Sequence, residues 1–218
     1  MITAVAFDLD GTLVHSLPDL AWAANTMRQQ LGLAPVTEAK VSQWIGNGIT
    51  KLVERASAEA GLPSEALALF EAAYEQHLAV DSALLPGAKE TLTALKERGF
   101  KLALVTNKAS RFALPLVQTL GIERCFEHLL YGDSLAAKKP DPLPLQWLCE
   151  RWDIAPAALM LVGDSKNDIE AAKAAKAMSV GLTGGYNYGE DIGLYYPDLV
   201  IDSLAALLEL PALQQRYC

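Results

Sequence analysis

Short apolar segments that alternate with helical patterns along most of the chain constrain its fold more than any other feature. The stretches between these segments carry apolar residues at helical spacing, as in residues 88–98 and 111–120. Strands that alternate with helices in this way form a parallel sheet whose faces are covered by the helices. We therefore predict an α/β fold, a Rossmann-like parallel sheet flanked by helices. The predicted strands are residues 3–8, 100–106, 128–132, 158–164, 178–182 and 198–201.

One long interval breaks the alternation, because residues 16–84 show helical periodicity and no convincing strand. We interpret it as a second, smaller domain inserted after the first strand. The predicted division is residues 1–14 and 86–218 for a Rossmann-like catalytic core and residues 15–85 for an all-helical domain. Its predicted helices are residues 18–32, 37–46, 49–61 and 64–80.

Composition predicts a soluble globular protein. The chain has 218 residues, of which 51% are hydrophobic and 20% charged, as is usual for that class. It has no apolar stretch near the ~20 residues that a membrane span needs, and no recognisable signal peptide. Cys125, Cys149 and Cys218 are too few for a disulfide framework, so we expect buried or inert thiols. A cytoplasmic protein with no membrane association is the expectation.

The charge balance restricts the possible partners. A net charge of −8 without any Lys/Arg cluster argues against nucleic acid as a partner. An anionic substrate would be repelled by the overall field, so cations within the site must attract it.

Polar side chains follow the predicted strands. In open parallel sheets, ligand sites form at the carboxyl ends of the strands. Several carboxylates at one edge raise one another's pKa unless a cation is present, and Mg²⁺ suits oxygen ligands beside a phosphate. The composition of this edge therefore indicates phosphoryl chemistry. Its residues are Asp8, Asp10, Thr106, Asn107, Lys139, Asp164 and Asp168.

Four short motifs carry a resemblance to a known family. The sequences FDLDGTL, VTN, KP and GDSKND, in this order and spacing, resemble the signature motifs of the haloacid dehalogenase-like superfamily. The helical insertion after the first strand is similar to that superfamily's first type of cap domain. The resemblance implies a catalytic core with a helical cap.

The resemblance also implies residue roles. Asp8 would be the nucleophile that forms an aspartyl-phosphate, and Asp10 the general acid and base. Thr106 and Asn107 would hold the phosphoryl oxygens, and Lys139 would offset their charge. Dehalogenases of this superfamily resemble the pattern without the second aspartate, so the DLD sequence favours phosphate chemistry.

The metal is likewise implied by the resemblance. Mg²⁺ would bind the Asp8 carboxylate, the Asp10 backbone carbonyl and Asp164. Asp168 would complete the metal site from the outer shell, or would position Lys139. Gly11 and Thr12, where the chain turns sharply towards the cap, are assigned to the substrate-binding side.

Two further stretches indicate the substrate class. WIGNGITKLVERA (44–56) and VGLTGGYNYGED (180–191) resemble phosphoglycolate phosphatases. Gly46, Asn47 and Gly48 precede a helix and could present N–H groups to a small carboxylate, or could be only a helix-capping turn. The prediction is a Mg²⁺-dependent 2-phosphoglycolate phosphatase acting on a small phosphorylated metabolite as a monomer or weak homodimer.

Alternatives stay open. Within the superfamily they are a phosphatase for another small (sugar) phosphate and a β-phosphoglucomutase-like phosphotransferase. A receiver domain is disfavoured because it is about half this length and has no cap; a catalytically silent binding protein is disfavoured by the intact acidic set. The chain departs from the family pattern at His15, where an aspartate is usual, and at Lys176, where a capping glycine is usual.

Overall fold

A computed structural model describes residues 1–214 of the chain, and Cys218 lies outside the described residues. In chain order the strands are β1 (Ala4–Phe7), β2 (Val14–His15), β3 (Ala83–Leu84), β4 (Lys101–Val105), β5 (His128–Leu130), β6 (Leu159–Gly163), β7 (Met178–Leu182) and β8 (Leu199–Ile201). The α-helices are α1 (Leu17–Gln30), α2 (Glu38–Ser42), α3 (Ile49–Ser57), α4 (Ala66–Gln76), α5 (Ala88–Glu97), α6 (Ser110–Thr119), α7 (Leu143–Trp152) and α8 (Lys166–Ala175).

Six strands form one sheet in the order β5-β4-β1-β6-β7-β8, and every neighbouring pair is parallel. The predicted fold class is confirmed, and all six strands lie where the apolar segments placed them. The central strand β1 is buried at every position, since helices cover both faces of the sheet. Apolar side chains that alternate along β1 enter different clusters, Val5 and Phe7 on one face and Ala4 and Ala6 on the other.

The helical interval contains α1 to α4, and their apolar faces pack into a separate cluster around Met27, Phe70 and Tyr74. The expectation of no strand within residues 16–84 is wrong at its end, because β3 lies at Ala83–Leu84 and pairs antiparallel with β2. Each partner has two residues, which is too short to produce a periodic pattern. The division into a core and an inserted helical domain stays a prediction.

One predicted helix is much shorter than expected. The sequence predicts a helix over residues 37–46, but α2 ends at Ser42. Thr37 caps its first turn, and the chain then leaves helical geometry towards Gly46 and Gly48, whose φ angles are 123° and 87°. Such angles are readily adopted only by glycine, so these residues redirect the chain.

A fully buried carboxylate fastens the chain where it returns from the helical interval. Asp19, in α1, accepts hydrogen bonds from Asp81 N (2.8 Å) and His77 Nδ1 (3.0 Å) on one oxygen. Its other oxygen accepts from Ser82 N (3.1 Å) and Ser82 Oγ (2.5 Å). We call Asp19 with its donors the Asp19 clasp. It ties the start of α1 to the segment that leads into β3.

Among residues 1–214, none of the helices combines the length and the apolar character that a membrane span requires. Cys149 is buried and Cys125 half-buried, both as free thiols, and burial raises the pKa of each. The cytoplasmic location and the oligomeric state stay predictions.

Candidate active site

Three neighbouring strands deliver the central residues of the site. Asp8 follows β1, Thr106 follows β4 and Asp164 follows β6, and β1 lies between the other two strands. The Asp8 N–H continues the sheet by donating to Val162 O (2.9 Å). Because the strands are parallel, these side chains emerge together at one edge.

A buried lysine joins two of the carboxylates. Lys139 lies in the segment before α7, with only 3% of its surface exposed. Its Nζ is 2.8 Å from Asp8 Oδ1 and 2.5 Å from Asp168 Oδ1. The other oxygen of Asp168 accepts from Ser165 N and Ser165 Oγ in a capping box at the start of α8. Asp168 is therefore occupied on both oxygens and orients Lys139.

Asp164 is held from two sides. Its Oδ1 accepts from Thr12 Oγ1 (2.5 Å) and its Oδ2 from Tyr186 N (2.6 Å). A Cβ on Gly11 would collide with the same carboxylate, so the backbone approaches Asp164 as closely as a glycine allows. Gly11 and Thr12 thus contact Asp164.

Burial dominates the electrostatics of these carboxylates. It raises the pKa of Asp8 to about 6, although the Lys139 ammonium opposes the shift. Burial, and then the charges of Asp8 and Asp168, raises the pKa of Asp164 well above its usual range. Two buried carboxylates whose pKa values are both raised mark a site that lacks positive charge.

The donor set fits a divalent cation. One carboxylate oxygen from each of Asp8, Asp164 and Asp168 can be chosen so that all three lie within 4.8 Å of one another. Asp8 and Asp164 are the better direct ligands, because both oxygens of Asp168 already bind Lys139 and Ser165. Hard oxygen ligands in this arrangement suit Mg²⁺ or a similar ion.

A second buried ion pair lies beside this group. Lys108 is 5% exposed, and its Nζ is 3.0 Å from Asp10 Oδ1 and 3.2 Å from Asp10 Oδ2. Burial alone would lower the pKa of Lys108, but the Asp10 carboxylate raises it, so the lysine stays charged. Asp10 Oδ1 also accepts from Ser16 Oγ (2.5 Å). Sequence reasoning missed Lys108, although a lysine directly after Thr106-Asn107 was a signal for the local cation that the acidic chain requires.

A cavity lies between this sheet edge and the helical interval. Residues of the helical interval form most of its apolar side, and polar residues at the sheet edge, including the carboxylates and Lys108, form its polar side. The walls are made by Asp8, Asp10, Leu20, Ile45, Gly46, Gly48, Ile49, Leu52, Thr106, Asn107, Lys108, Asp164, Ser165 and Tyr186.

The segment Gly46-Asn47-Gly48 contacts the sheet edge directly. The Gly46 carbonyl accepts from Asn167 Nδ2 (3.1 Å) and from Asn107 Nδ2 (3.4 Å). Asn47 Oδ1 accepts from Asn167 Nδ2 (2.7 Å) and from the Tyr188 hydroxyl. The carbonyl and the Asn47 side chain are thus used for docking, while Gly46 and Gly48 line the cavity.

The sequence GYNYG, residues 185–189, links Asp164 to the start of the helical interval. Tyr186 donates its N–H to Asp164, and its hydroxyl accepts from Leu17 N (3.2 Å) and contacts His15 Nδ1 (2.9 Å). His15, which departs from the family pattern, is exposed but bonded to this phenol. Tyr186 itself is buried.

Most predicted site residues come together. Thr106 and Asn107 line the cavity next to Asp8, and Asn107 Nδ2 also donates to Lys139 O (2.8 Å). Asn107 Oδ1 is a buried side-chain oxygen without a hydrogen-bond partner among the described residues. Thr12 is fully buried and lies behind Asp164 rather than on the cavity wall.

Comparison with known proteins agrees with this geometry. The family described as haloacid dehalogenase-like hydrolase matches residues 2–176 of the chain. The chain belongs to this family. The fold, the enzyme class and the family prediction are therefore confirmed.

The relatives of this hydrolase carry a common name. A phosphoglycolate phosphatase of Vibrio vulnificus strain YJ016 is 47% identical over 218 residues, and the match covers 96% of each chain. A phosphoglycolate phosphatase of Colwellia psychrerythraea is 44% identical, with 93% of each chain covered. A crystal structure of a predicted phosphoglycolate phosphatase from Haemophilus somnus superposes with a TM-score of 0.89 at 39% identity, covering 95% of this chain and 97% of the other.

Proposed function

We propose that this hydrolase is a Mg²⁺-dependent phosphatase that converts 2-phosphoglycolate to glycolate and phosphate. The observation that carries the proposal is the buried group of Asp8, Lys139 and Asp164 at the end of the central strands, beneath a cavity. The names of relatives at 42–47% identity support the choice of substrate.

Asp8 and Asp164 hold the metal in this proposal, together with the Asp10 backbone carbonyl. When bound, Mg²⁺ supplies the positive charge that lets two buried carboxylates and a phosphoryl group share one site. Lys139 contributes the second positive charge, and Asp168 keeps its ammonium directed at Asp8.

In the first step, an Asp8 carboxylate oxygen attacks phosphorus and the bond from phosphorus to the ester oxygen breaks. The electron pair of that bond stays on the leaving oxygen, which takes a proton from the carboxyl group of Asp10. Glycolate leaves, and an aspartyl-phosphate remains on Asp8. Thr106 Oγ and the Asn107 N–H stabilise the phosphoryl oxygens.

In the second step, the Asp10 carboxylate accepts a proton from water while the water oxygen attacks phosphorus. The acyl phosphate bond breaks, Asp8 regains its carboxylate, and inorganic phosphate is released. Asp10 is then protonated again and ready for the next substrate, so protons balance over the cycle.

The helical interval, residues 15–85, acts as the cap that covers the substrate in this proposal. The contacts of Asn47 with Asn167 and Tyr188 support a closed position of the Gly46–Gly48 segment over the site. Closure excludes water from the first step and limits the size of the ester.

The test is the initial rate of phosphate release with Mg²⁺ on 2-phosphoglycolate, several sugar phosphates and p-nitrophenyl phosphate. We expect kcat/KM for 2-phosphoglycolate to exceed the others by about 100-fold or more. Similar slow hydrolysis of every ester would refute the substrate. Accumulation of phosphoenzyme, or a requirement for a sugar bisphosphate, would instead indicate a phosphotransferase.

A further inference from the structure

Lys108 is a buried cation on the wall of the substrate cavity that the steps above do not use. Its ammonium contacts both oxygens of Asp10 and lies 4.8 Å from the ring centre of Tyr74, a residue of α4. It therefore stands at the junction of the sheet edge and the helical interval, where a substrate would be enclosed.

Charge on the cavity wall singles out this lysine. Among the cavity-lining residues that the structure describes, Lys108 is the one cation, against the carboxylates of Asp8, Asp10 and Asp164. Lys139 is committed to Asp8 and Asp168. A second negative group on the substrate, beyond its phosphoryl group, would therefore share Lys108 with Asp10 as its cation on the cavity wall.

Two other cations near the cavity are less suited to this task. Arg55 donates to Trp44 O (2.9 Å) and lies 5.1 Å from the ring centre of Tyr188, so its guanidinium is already engaged. Lys138 is exposed and is not part of the cavity wall, although its Nζ comes close to Gly48, which is. A buried ammonium binds an anion more strongly than an exposed one, because less water screens the pair.

The distance from Asp10 fits a short substrate. In a phosphate ester of an α-hydroxy acid, the carboxylate is attached to the carbon that carries the ester oxygen, so its oxygens lie ~3 Å from that oxygen. Asp10 must reach the ester oxygen in the proposed mechanism, and the Lys108 ammonium is 3.0 Å from Asp10. A carboxylate on the adjacent carbon therefore lies within reach of Lys108.

Tyr74 supplies a second observation. Its hydroxyl is buried beside the Lys108 ammonium and interacts with it. Tyr74 therefore fixes the position of this ammonium. Burial raises the pKa of Tyr74 to about 12, so the group remains a neutral hydroxyl beside Lys108.

We propose that Lys108 is the specificity-determining residue that binds the carboxylate of the substrate, with Tyr74 as a positioning residue for its ammonium. This inference rests on the proposed function, because it assumes a substrate that carries both a phosphoryl group and a carboxylate. A carboxylate site at Lys108 would favour esters of short hydroxy acids over sugar phosphates. Apart from the phosphoryl group, a sugar phosphate carries no negative charge that Lys108 could bind.

The test compares two esters of equal length, 2-phosphoglycolate and 2-hydroxyethyl phosphate, in the wild type and in Lys108→Gln. The ratio of the two kcat/KM values is measured within one preparation, so any loss of folded protein cancels. We expect the ratio to fall by about 100-fold, the effect of a lost charge-assisted hydrogen bond. Hydrolysis of both esters should also slow, because Lys108 contacts the general acid Asp10, and this common loss cancels in the ratio. Lys108→Arg, which keeps the charge, should retain much of the preference.

Two further variants complete the design. Tyr74→Phe removes only the hydroxyl and should lower the same ratio about fivefold, which decides the matter if the Lys108 variants do not fold. Lys138→Gln removes one nearby positive charge from outside the cavity wall and should leave the ratio unchanged.

The outcomes separate the two proposals. If the wild type has no preference for 2-phosphoglycolate, the proposed substrate is wrong and this inference is wrong with it. If the wild type prefers 2-phosphoglycolate but Lys108→Gln lowers both rates equally, the substrate stands and the inference is overturned. A loss of preference in Lys138→Gln instead would assign carboxylate recognition to the exposed lysine.

Discussion

Replacing Asp19 by asparagine tests the connection between the helical interval and the sheet. The Asp19 clasp accepts four hydrogen bonds on two oxygens, and asparagine has one such oxygen. Two bonds to a charged acceptor are lost, each worth about 1.5–3 kcal/mol, so we expect the free energy of unfolding to fall by about 3–5 kcal/mol. For a chain of this length that corresponds to a Tm lower by roughly 10 °C.

The same carboxylate gives the prediction a pH dependence. Burial alone would raise the pKa of Asp19, but the bonds from Ser82, Asp81 and His77 hold it below its ordinary value. A lowered folded-state pKa stabilises the protein fully above about pH 4, the unfolded value, and this contribution is lost as pH falls through the folded-state pKa. The difference between wild type and Asp19→Asn should therefore be full at pH 7 and shrink below pH 4.

Urea denaturation followed by far-ultraviolet circular dichroism measures this difference at several pH values. Asp81→Asn is the matched control, because the Asp81 carboxylate is 61% exposed and its ion pair with His77 Nε2 is long, at 3.8 Å. We expect that control to cost less than about 0.5 kcal/mol. Equal losses in the two variants would refute the clasp, as would a difference that persists unchanged at pH 3.

Further predictions concern the active site. Asp8→Asn should abolish turnover and leave the circular dichroism spectrum unchanged; residual turnover within tenfold of wild type would exclude Asp8 as nucleophile. Asp10→Asn should slow 2-phosphoglycolate far more than p-nitrophenyl phosphate, whose phenolate leaves without a proton, and equal losses would contradict the general-acid role. In the metal-free protein, Asp8 has a folded-state pKa of about 6, so it binds its proton more tightly than in the unfolded chain. The free energy of unfolding therefore falls by about 3 kcal/mol as pH rises from 4 to 7. Mg²⁺ should therefore raise Tm more at pH 7.5 than at pH 5 in a thermal scan, and an equal rise would count against a metal on Asp8. Tyr188→Phe, which removes the donor to Asn47, should lower kcat/KM about fivefold with little change in Tm, and no kinetic change would mean that this contact does not hold the Gly46–Gly48 segment in place.

The fold could be predicted from the sequence because each of its main elements has a recognisable local sequence pattern. Each strand of the sheet is an apolar run of a few residues, and glycines such as Gly99 and Gly121 follow the helices between them. The short pair of β2 and β3 could not be predicted, because two residues carry no periodicity. The early end of α2 was missed since Trp44 and Ile45 continue the helical pattern while being buried outside the helix.

The site was predictable only in part. Residues that directly follow strands were placed correctly at the sheet edge, because parallel strands share that edge. The Lys108–Asp10 pair joins residues 98 positions apart, and local pattern has no access to such a pairing. The orientation of the Gly46 carbonyl towards Asn167 depends on how the helical interval docks, which the sequence of a single chain does not encode locally.

The pairing of β2 with β3 has a consequence for how such an enzyme can change. Val14 lies opposite Leu84, so the chain leaves the sheet and returns to it at neighbouring points. Residues 16–82 therefore leave and rejoin the large sheet at neighbouring points, so an exchange of these residues would leave every strand of that sheet in register. Asp8 and Asp164 follow strands of the sheet, whereas Leu20, Ile45, Ile49 and Leu52 on the cavity wall lie within residues 16–82. A protein built in this way can change the shape of its cavity while the carboxylates at the sheet edge are kept.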